Sequence, residues 1–345
     1  MHDVIVTVEE HSKIAPIEQV QVPRELDGSC GTNREWDVPR QVAANTDIEA
    51  VRIWLANFTH TKTTFAAYRK ESERLLLWCV WEACKPLSSL THEDWLVYQW
   101  FLASPVPRDR WLTDQGRKHP RTDPRWRPFA GPLSQASQHQ AGVILNSMFS
   151  WLVSAGYLAG NPLSLARHQK RRQAPRIERY LDDDLWHEVK ATIDTLPRGT
   201  DREREHYLRL RWLITLCYVC GLRISEIAEN TMGNFFCRRD SSGVERWWLE
   251  ILGKGSKIRI VPATSELMVE LGRYRRELSY PPMPVAGEST PLLLPIGGKP
   301  KALSRGGIHG IIKSVFTMTG ERIRLKAIVS SRAGDWSARP SVTSN

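Results

Sequence analysis

Apolar residues recur at three- and four-residue spacing through much of the chain, the period of a helix with one buried face. Asp47 opens a first predicted helix through Phe58. A second is expected over 63–83, where Phe65, Tyr68, Leu75, Leu76 and Val80 keep that spacing. A third begins at Thr91, with Asp94 placed as a partner in an approximate capping box. The fourth begins near Ser134, and Gly156 is its expected stop. After residue 180 an acidic helix start, LDDDLW, is followed by predicted helices at 201–219, 265–278 and 304–319. The period changes at 247–252 and 257–263, where alternation predicts two strands joined by the tight turn Gly253-Lys254-Gly255-Ser256.

The remaining stretches are irregular. Residues 1–45 lack a steady period, contain Pro16, Pro23 and Pro39, and read as a loosely ordered arm. The segment 104–134 carries six Arg and one Lys among Trp111, Trp126 and Phe129. Basic residues mixed with aromatics suit backbone contact and base stacking, and a plain insertion is the competing reading. Residues 167–179 are a basic hinge, extended at Ala174-Pro175. Beyond Arg324 no helical stripe is visible, and the expectation is an unfolded tail. The divisions are therefore an arm at 1–45, a helical domain at 46–168, a linker at 169–179, a second domain at 180–324 and a tail at 325–345.

Composition narrows the partners. The 345 residues include 41% hydrophobic ones, enough for two domains with cores. A formal net charge of +10 favours a polyanionic partner. No run of about 18 apolar residues points to a membrane span, and no signal peptide is read at the start. Six scattered Cys suit reduced thiols of a cytoplasmic protein. Cys217-x-x-Cys220 lies in an apolar helix without a second pair, which reads as core thiols rather than zinc or redox chemistry.

Two cations stand out because rigid elements flank them. Arg223 follows a glycine at the end of a long apolar helix, and Lys254 sits in the strand turn. Lys62 and Arg69 lie on the polar side of the second helix, and Lys170, Arg171 and Arg172 lie in the hinge. All five are candidates for phosphate contact; a solvated face is the preferred reading of the first two without further context, and a solubilising linker is the bland reading of the other three.

Four stretches occur together and in order: TKTTFAAYRKESERLLLWC with PLSSLTHEDW, then SQASQHQAGVILNSMFSWLVSAGYLAGNP, CYVCGLRISEI and ILGKGSKIRIVP. Together they resemble a tyrosine recombinase of the phage-integrase family over roughly 47–320. The fold implied is mainly α with a small antiparallel β-sheet: an N-terminal helical core-binding (SAM-like) domain and an incomplete α+β catalytic domain. The implied activity is site-specific DNA recombination through a phosphotyrosine, with double-stranded DNA as partner, self-association on it in intact relatives, and no metal or cofactor. By resemblance Arg223 binds the phosphate and Lys254 is the general acid. A guanidinium fork matches the charge that builds on the phosphate oxygens, and an ammonium can protonate the leaving oxygen. Lys257 and Arg259 are alternative acids or contacts to the DNA backbone, and Glu226 orients the site or braces its helix.

The later part of the family's pattern is missing. His309 is followed by Gly310-Ile311-Ile312 rather than by an H-x-x-R arrangement, and the last tyrosines are Tyr274 and Tyr280. The expectation is a recombinase truncated at its C-terminus and crippled in strand cleavage, or a non-catalytic DNA-binding remnant that competes with an intact relative.

Overall fold

The structure is a computed structural model that describes residues 14–117, 119–166, 181–253, 255, 257–297 and 299–337, without the side chains of 115 and 325–337. The chain divides into two compact units, 1–172 and 173–345.

The first unit is built from α1 (Asp47–Ala56), α2 (Lys62–Trp78), α3 (His92–Ala103), the short α4 (Arg108–Trp111) and α5 (Gln135–Ser154). Side chains set the helix starts. Thr46 with Glu49, and Thr91 with Asp94, form capping boxes, and Ser134 accepts from the Ser137 amide. α2 continues as a π-turn, Cys79–Ala83, and stops where Cys84 turns left-handed. Trp54, Tyr98, Leu145, Phe149 and Leu152 are fully buried among these helices.

Residues 14–45 are not the loose arm expected from their aperiodic sequence. Ile14, Ile17 and Ala44 enter the core. The Ile17 amide donates to Glu73 at 2.8 Å, and Arg52 donates to the Ile17 carbonyl at 2.8 Å. Buried Arg34 donates to the carbonyls of Gly28 and Asn45 and to the Tyr157 hydroxyl, which donates in turn to Asp47 at 2.8 Å. Single polar anchors hold this segment, so no periodic stripe announces it.

The second unit carries α6 (Asp183–Asp194), α7 (Asp201–Cys220), α8 (Ile224–Glu229), β1 (Phe235–Arg239), β2 (Glu245–Leu252), β3 (Ile258–Ala263), α9 (Ser265–Glu277) and α10 (Arg305–Ser337). The three strands are antiparallel in the order β1-β2-β3. Leu249 and Ile251 turn one face of the sheet inward to meet Trp212, Leu216, Leu267 and Leu271 of α7 and α9. α10 enters through Ile308 and Val315, both fully buried. It does not end near 319: the backbone stays helical to Ser337, so the stretch expected as an unfolded tail is helical over 325–337. Ala, Leu, Ile, Lys and Arg there are compatible with helix, and no proline intervenes before Pro340. Overall, a mainly helical chain with one small antiparallel sheet matches the expected fold class.

Candidate phosphate-binding site

Thr200 caps α7 in a box with Glu203, and the helix stays apolar on its buried side through Cys220. Gly221 then takes φ +57°, a conformation that costs glycine little, and the chain turns to start α8. Arg223 is the residue at that start. Its side chain is 68% exposed, so its guanidinium is open to an incoming anion.

Glu226, one turn along α8, organises the surroundings. Its side chain is 2% exposed. One oxygen accepts from the Arg223 amide at 2.8 Å, and the other from the Arg223 guanidinium at 2.9 Å. Arg259 of β3 forks onto the same carboxylate through both terminal nitrogens, at 2.6 and 2.8 Å. The hydrogen bonds from Arg259 hold the Glu226 carboxyl at about 2, below its usual 4.5, against a desolvation that pushes it upward; the Arg223 amide and guanidinium add to the lowering. Arg259 is raised in return, chiefly by Glu226. Two guanidiniums share one carboxylate, leaving one positive charge over.

The hairpin between β2 and β3 is also tied to the end of α8 through Asn230, and its turn is closed on itself. Asn230 donates to the carbonyls of Glu226 and Leu252 and accepts from the Leu252 amide at 2.9 Å. The Gly253 amide donates to the Lys257 carbonyl at 2.8 Å. A Cβ at Gly253 would stand 3.2 Å from a Glu226 oxygen and 3.3 Å from that carbonyl, so the close approach needs a glycine. Arg305 of α10 pairs with Glu229 at the far end of α8.

Of the residues singled out in the sequence, Arg223, Glu226 and Arg259 meet in one cluster. The Lys257 side chain is exposed beside it. Lys254, Lys170, Arg171 and Arg172 lie outside the described residues. Lys62 is exposed on α2, while Arg69 of the same helix is paired with Glu18 at 3.2 Å. Sequence reasoning missed that Arg259 belongs to Glu226, and it missed Asn230 and Arg305 altogether. Partners lying 33, 22 and 76 positions apart leave no local spacing to read.

Three tyrosines of the second unit are otherwise engaged. Tyr207 and Tyr218 donate to Asp194 and Asp183. Tyr274 is buried, its hydroxyl accepts from the Leu294 amide, and burial pushes its acidity far down. Burial also raises Cys217 to about 12 and Cys220 to about 11, so both remain thiols. Among the described residues no group of His, Cys, Asp or Glu is placed to hold a metal, and no helix is long and apolar enough to cross a membrane.

The loop between α3 and α5 departs from one part of its expected role, base stacking. Trp111 and Phe129 are fully buried and Trp126 nearly so, hence none of the three is offered for stacking on bases. The Trp111 indole donates to Glu82 at 2.6 Å, and the Arg74 guanidinium lies 4.2 Å over the Phe129 ring. Burial of large aromatic surface outweighs the flexibility that an irregular, charged sequence suggests.

No family model matches the chain. Over 186 residues it is 27% identical to "Tyrosine recombinase XerD" of Neisseria meningitidis serogroup A, covering 54% of this chain and 57% of that protein. Over 142 residues it is 32% identical to "Tyrosine recombinase XerC" of Xylella fastidiosa strain M23, covering 38% and 42%. The chain thus spans about half the length of the curated relatives it matches. The solved structure of the XerH site-specific recombinase bound to a palindromic difH substrate, a post-cleavage complex, superposes with a TM-score of 0.52 at 14% identity, covering 89% of this chain and 82% of that one. That likeness establishes a shared fold. Taken with the sequence matches to XerD and XerC, it makes the chain similar to tyrosine recombinases, in sequence over about half of their length and in fold.

Proposed function

We propose that this chain binds duplex DNA through a recombinase-type phosphate site, in which Arg223 grips the non-bridging oxygens and Lys254 serves as general acid. The observation that carries the reading is the Glu226 fork. It fixes Arg259 and the Arg223 backbone while leaving the Arg223 guanidinium largely in solvent, which is the arrangement a preorganised phosphate ligand needs. Lys62, Lys257 and the hinge cations Lys170, Arg171 and Arg172 add phosphate contacts in this reading. Arg259 and Arg69, whose charges already meet carboxylates, act chiefly as braces. XerD, XerC and XerH are named as recombinases, and the same reaction class, site-specific strand exchange through a phosphotyrosine, is the activity proposed for the lineage of this chain.

In the 345 residues themselves we place DNA binding without strand cleavage. Tyr207, Tyr218 and Tyr274 are held by aspartates or by burial, and Tyr280, like Tyr274, follows the Lys254 hairpin too closely to be the family's late nucleophile. A nucleophile must be an accessible hydroxyl in line with the phosphorus, and removing it abolishes the covalent route outright. Such a protein competes with an intact recombinase for its sites, or works with a tyrosine that another chain delivers. A suicide duplex that traps phosphotyrosyl intermediates is the test. The expected result is duplex binding that weakens steeply with salt and yields no covalent adduct. A covalent adduct formed by this chain alone would overturn the non-cleaving assignment, and absence of duplex binding would overturn the DNA-binding one.

A further inference from the structure

The α3–α5 loop leaves a feature that its buried aromatics do not explain. An open cavity of about 740 Å³ is walled by Arg108, Arg117, Arg125 and Arg127, with His119 beside them. Two carboxylates, Asp109 and Asp114, also reach it, so four guanidiniums face two acids. Gly116, Ala130 and Gly131 leave its floor bare, and a Cβ added at Gly131 would meet nothing within 4 Å. Arg127 is held in the wall by donating to the carbonyls of Asp109, Pro124 and Trp126. Arg125 is paired with Asp123. Arg108 and Arg117 are exposed, and among the described residues neither has a carboxylate partner.

The loop that displays these cations is pinned from beneath. Thr113 and Phe129 are bonded across it, amide to carbonyl at 2.9 Å, and the Phe129 amide donates to the Trp111 carbonyl at 3.2 Å. Arg121 clamps it to Glu18 and Glu73. With the aromatics turned inward and the backbone tied, the arginines face outward on a framework that needs little further ordering. An anion arriving there meets two guanidiniums already held, Arg125 and Arg127, and loses less binding energy to immobilising those donors. A planar guanidinium fork matches the oxygens of phosphate as it does those of carboxylate, and several such cations together favour the more highly charged phosphates.

The geometry points to this bowl as a second phosphate-binding site, built on the first unit's loop and separate from Arg223, that takes adjacent phosphates of a DNA strand or of a free polyphosphate. The DNA form of the inference rests on the duplex-binding reading above; the anion chemistry does not. The test uses the full chain and the double variant Arg108→Gln/Arg117→Gln, which alters only exposed side chains. Duplex affinity is measured against salt, and inorganic tripolyphosphate binding is measured by calorimetry. The variant Arg24→Gln/Arg202→Gln changes net charge equally and lies outside the bowl. If a DNA strand is the occupant, the bowl variant lowers the slope of log K against log salt by about 2 and weakens duplex binding by about tenfold or more at 0.1 M salt, and the charge control does neither. If a free polyphosphate is the occupant, tripolyphosphate affinity falls in the bowl variant while the duplex slope stays put. A protein that binds no duplex would defeat the DNA reading and leave the tripolyphosphate comparison standing. The inference is overturned if the bowl variant matches the parent in both measurements, or if the charge control has the same effect.

Discussion

Replacing Glu226 by glutamine keeps its shape and removes its charge, so Glu226→Gln tests how much the fork stabilises the second unit. In the native protein this carboxyl lies at about 2 instead of 4.5. A gap of 2.5 units corresponds to about 3 kcal/mol in favour of the charged form in the fold. Both guanidinium partners reach water, Arg259 at 37% and Arg223 at 68% exposure, and solvent screening reduces the figure to about 2 kcal/mol. That is less than the 3–5 kcal/mol or so that follows when a fully buried partner is left unpaired. Because the folded pKa is depressed, the stabilisation is complete above pH 4.5 and is lost as pH falls towards 2. Glutamine has no such dependence.

Urea unfolding at pH 7 and pH 3 reads this directly, with amide exchange in β2 and β3 confirming that the second unit is affected. At pH 7 the variant midpoint drops by about 0.7–1 M, for a slope of 2–3 kcal/mol/M. At pH 3 the deficit shrinks to less than half, because the parent has lost most of the same contribution. An unchanged midpoint at pH 7 refutes the reasoning. So does a deficit of equal size at the two pH values, which would mean that packing rather than charge is at stake.

Two further substitutions probe how the structure is held. Gly253→Ala places a methyl 3.2 Å from the Glu226 oxygen and 3.3 Å from the Lys257 carbonyl, and should cost about 1–2 kcal/mol in chemical unfolding, since only backbone or a doubly bonded carboxylate can yield. Arg121→Ala leaves Glu73, 2% exposed, without its cation; about 2–4 kcal/mol should be lost and the Ile17 amide, bonded to Glu73, should exchange far faster than in the parent.

Much of the helical frame is legible in the sequence because its signals are local. The Thr91–Asp94 box, the Ser134 cap and the Gly156 stop each depend on a few neighbouring residues, and the structure has all three. The strand pair is legible because alternation is a local signal too. β1 escaped notice since only Phe235 of its five residues is buried, as befits an edge strand. Its turn was nevertheless written in Asp240-Ser241-Ser242-Gly243, where Asp240 accepts from the Ser242 and Val244 amides and Gly243 takes φ +79°. The segment 14–45 gave no such cue: its anchors, Glu73, Ser88 and Tyr157, are supplied by other parts of the chain. Arg223 was found by its motif, whereas the carboxylate shared with Arg259 exists only once the hairpin lies against α8.

Charge shows the same division between what composition contains and what folding decides. A net +10 says that a polyanion is favoured and nothing about where it binds. Folding sorts the cations. Arg74, Arg121, Arg211, Arg259 and Arg275 face carboxylates that are largely withdrawn from solvent. A guanidinium in that position has its charge already answered and holds few counterions to release, so it contributes to stability more than to phosphate affinity. Arg108, Arg117, Lys62 and Lys257 remain exposed, as does Arg223, whose one carboxylate is also shared with Arg259. The salt dependence of binding should therefore track this second group. It also divides the basic loop: its aromatics and Arg121 belong to the core side, and the arginines around the bowl are the ones left for the proposed phosphate contact.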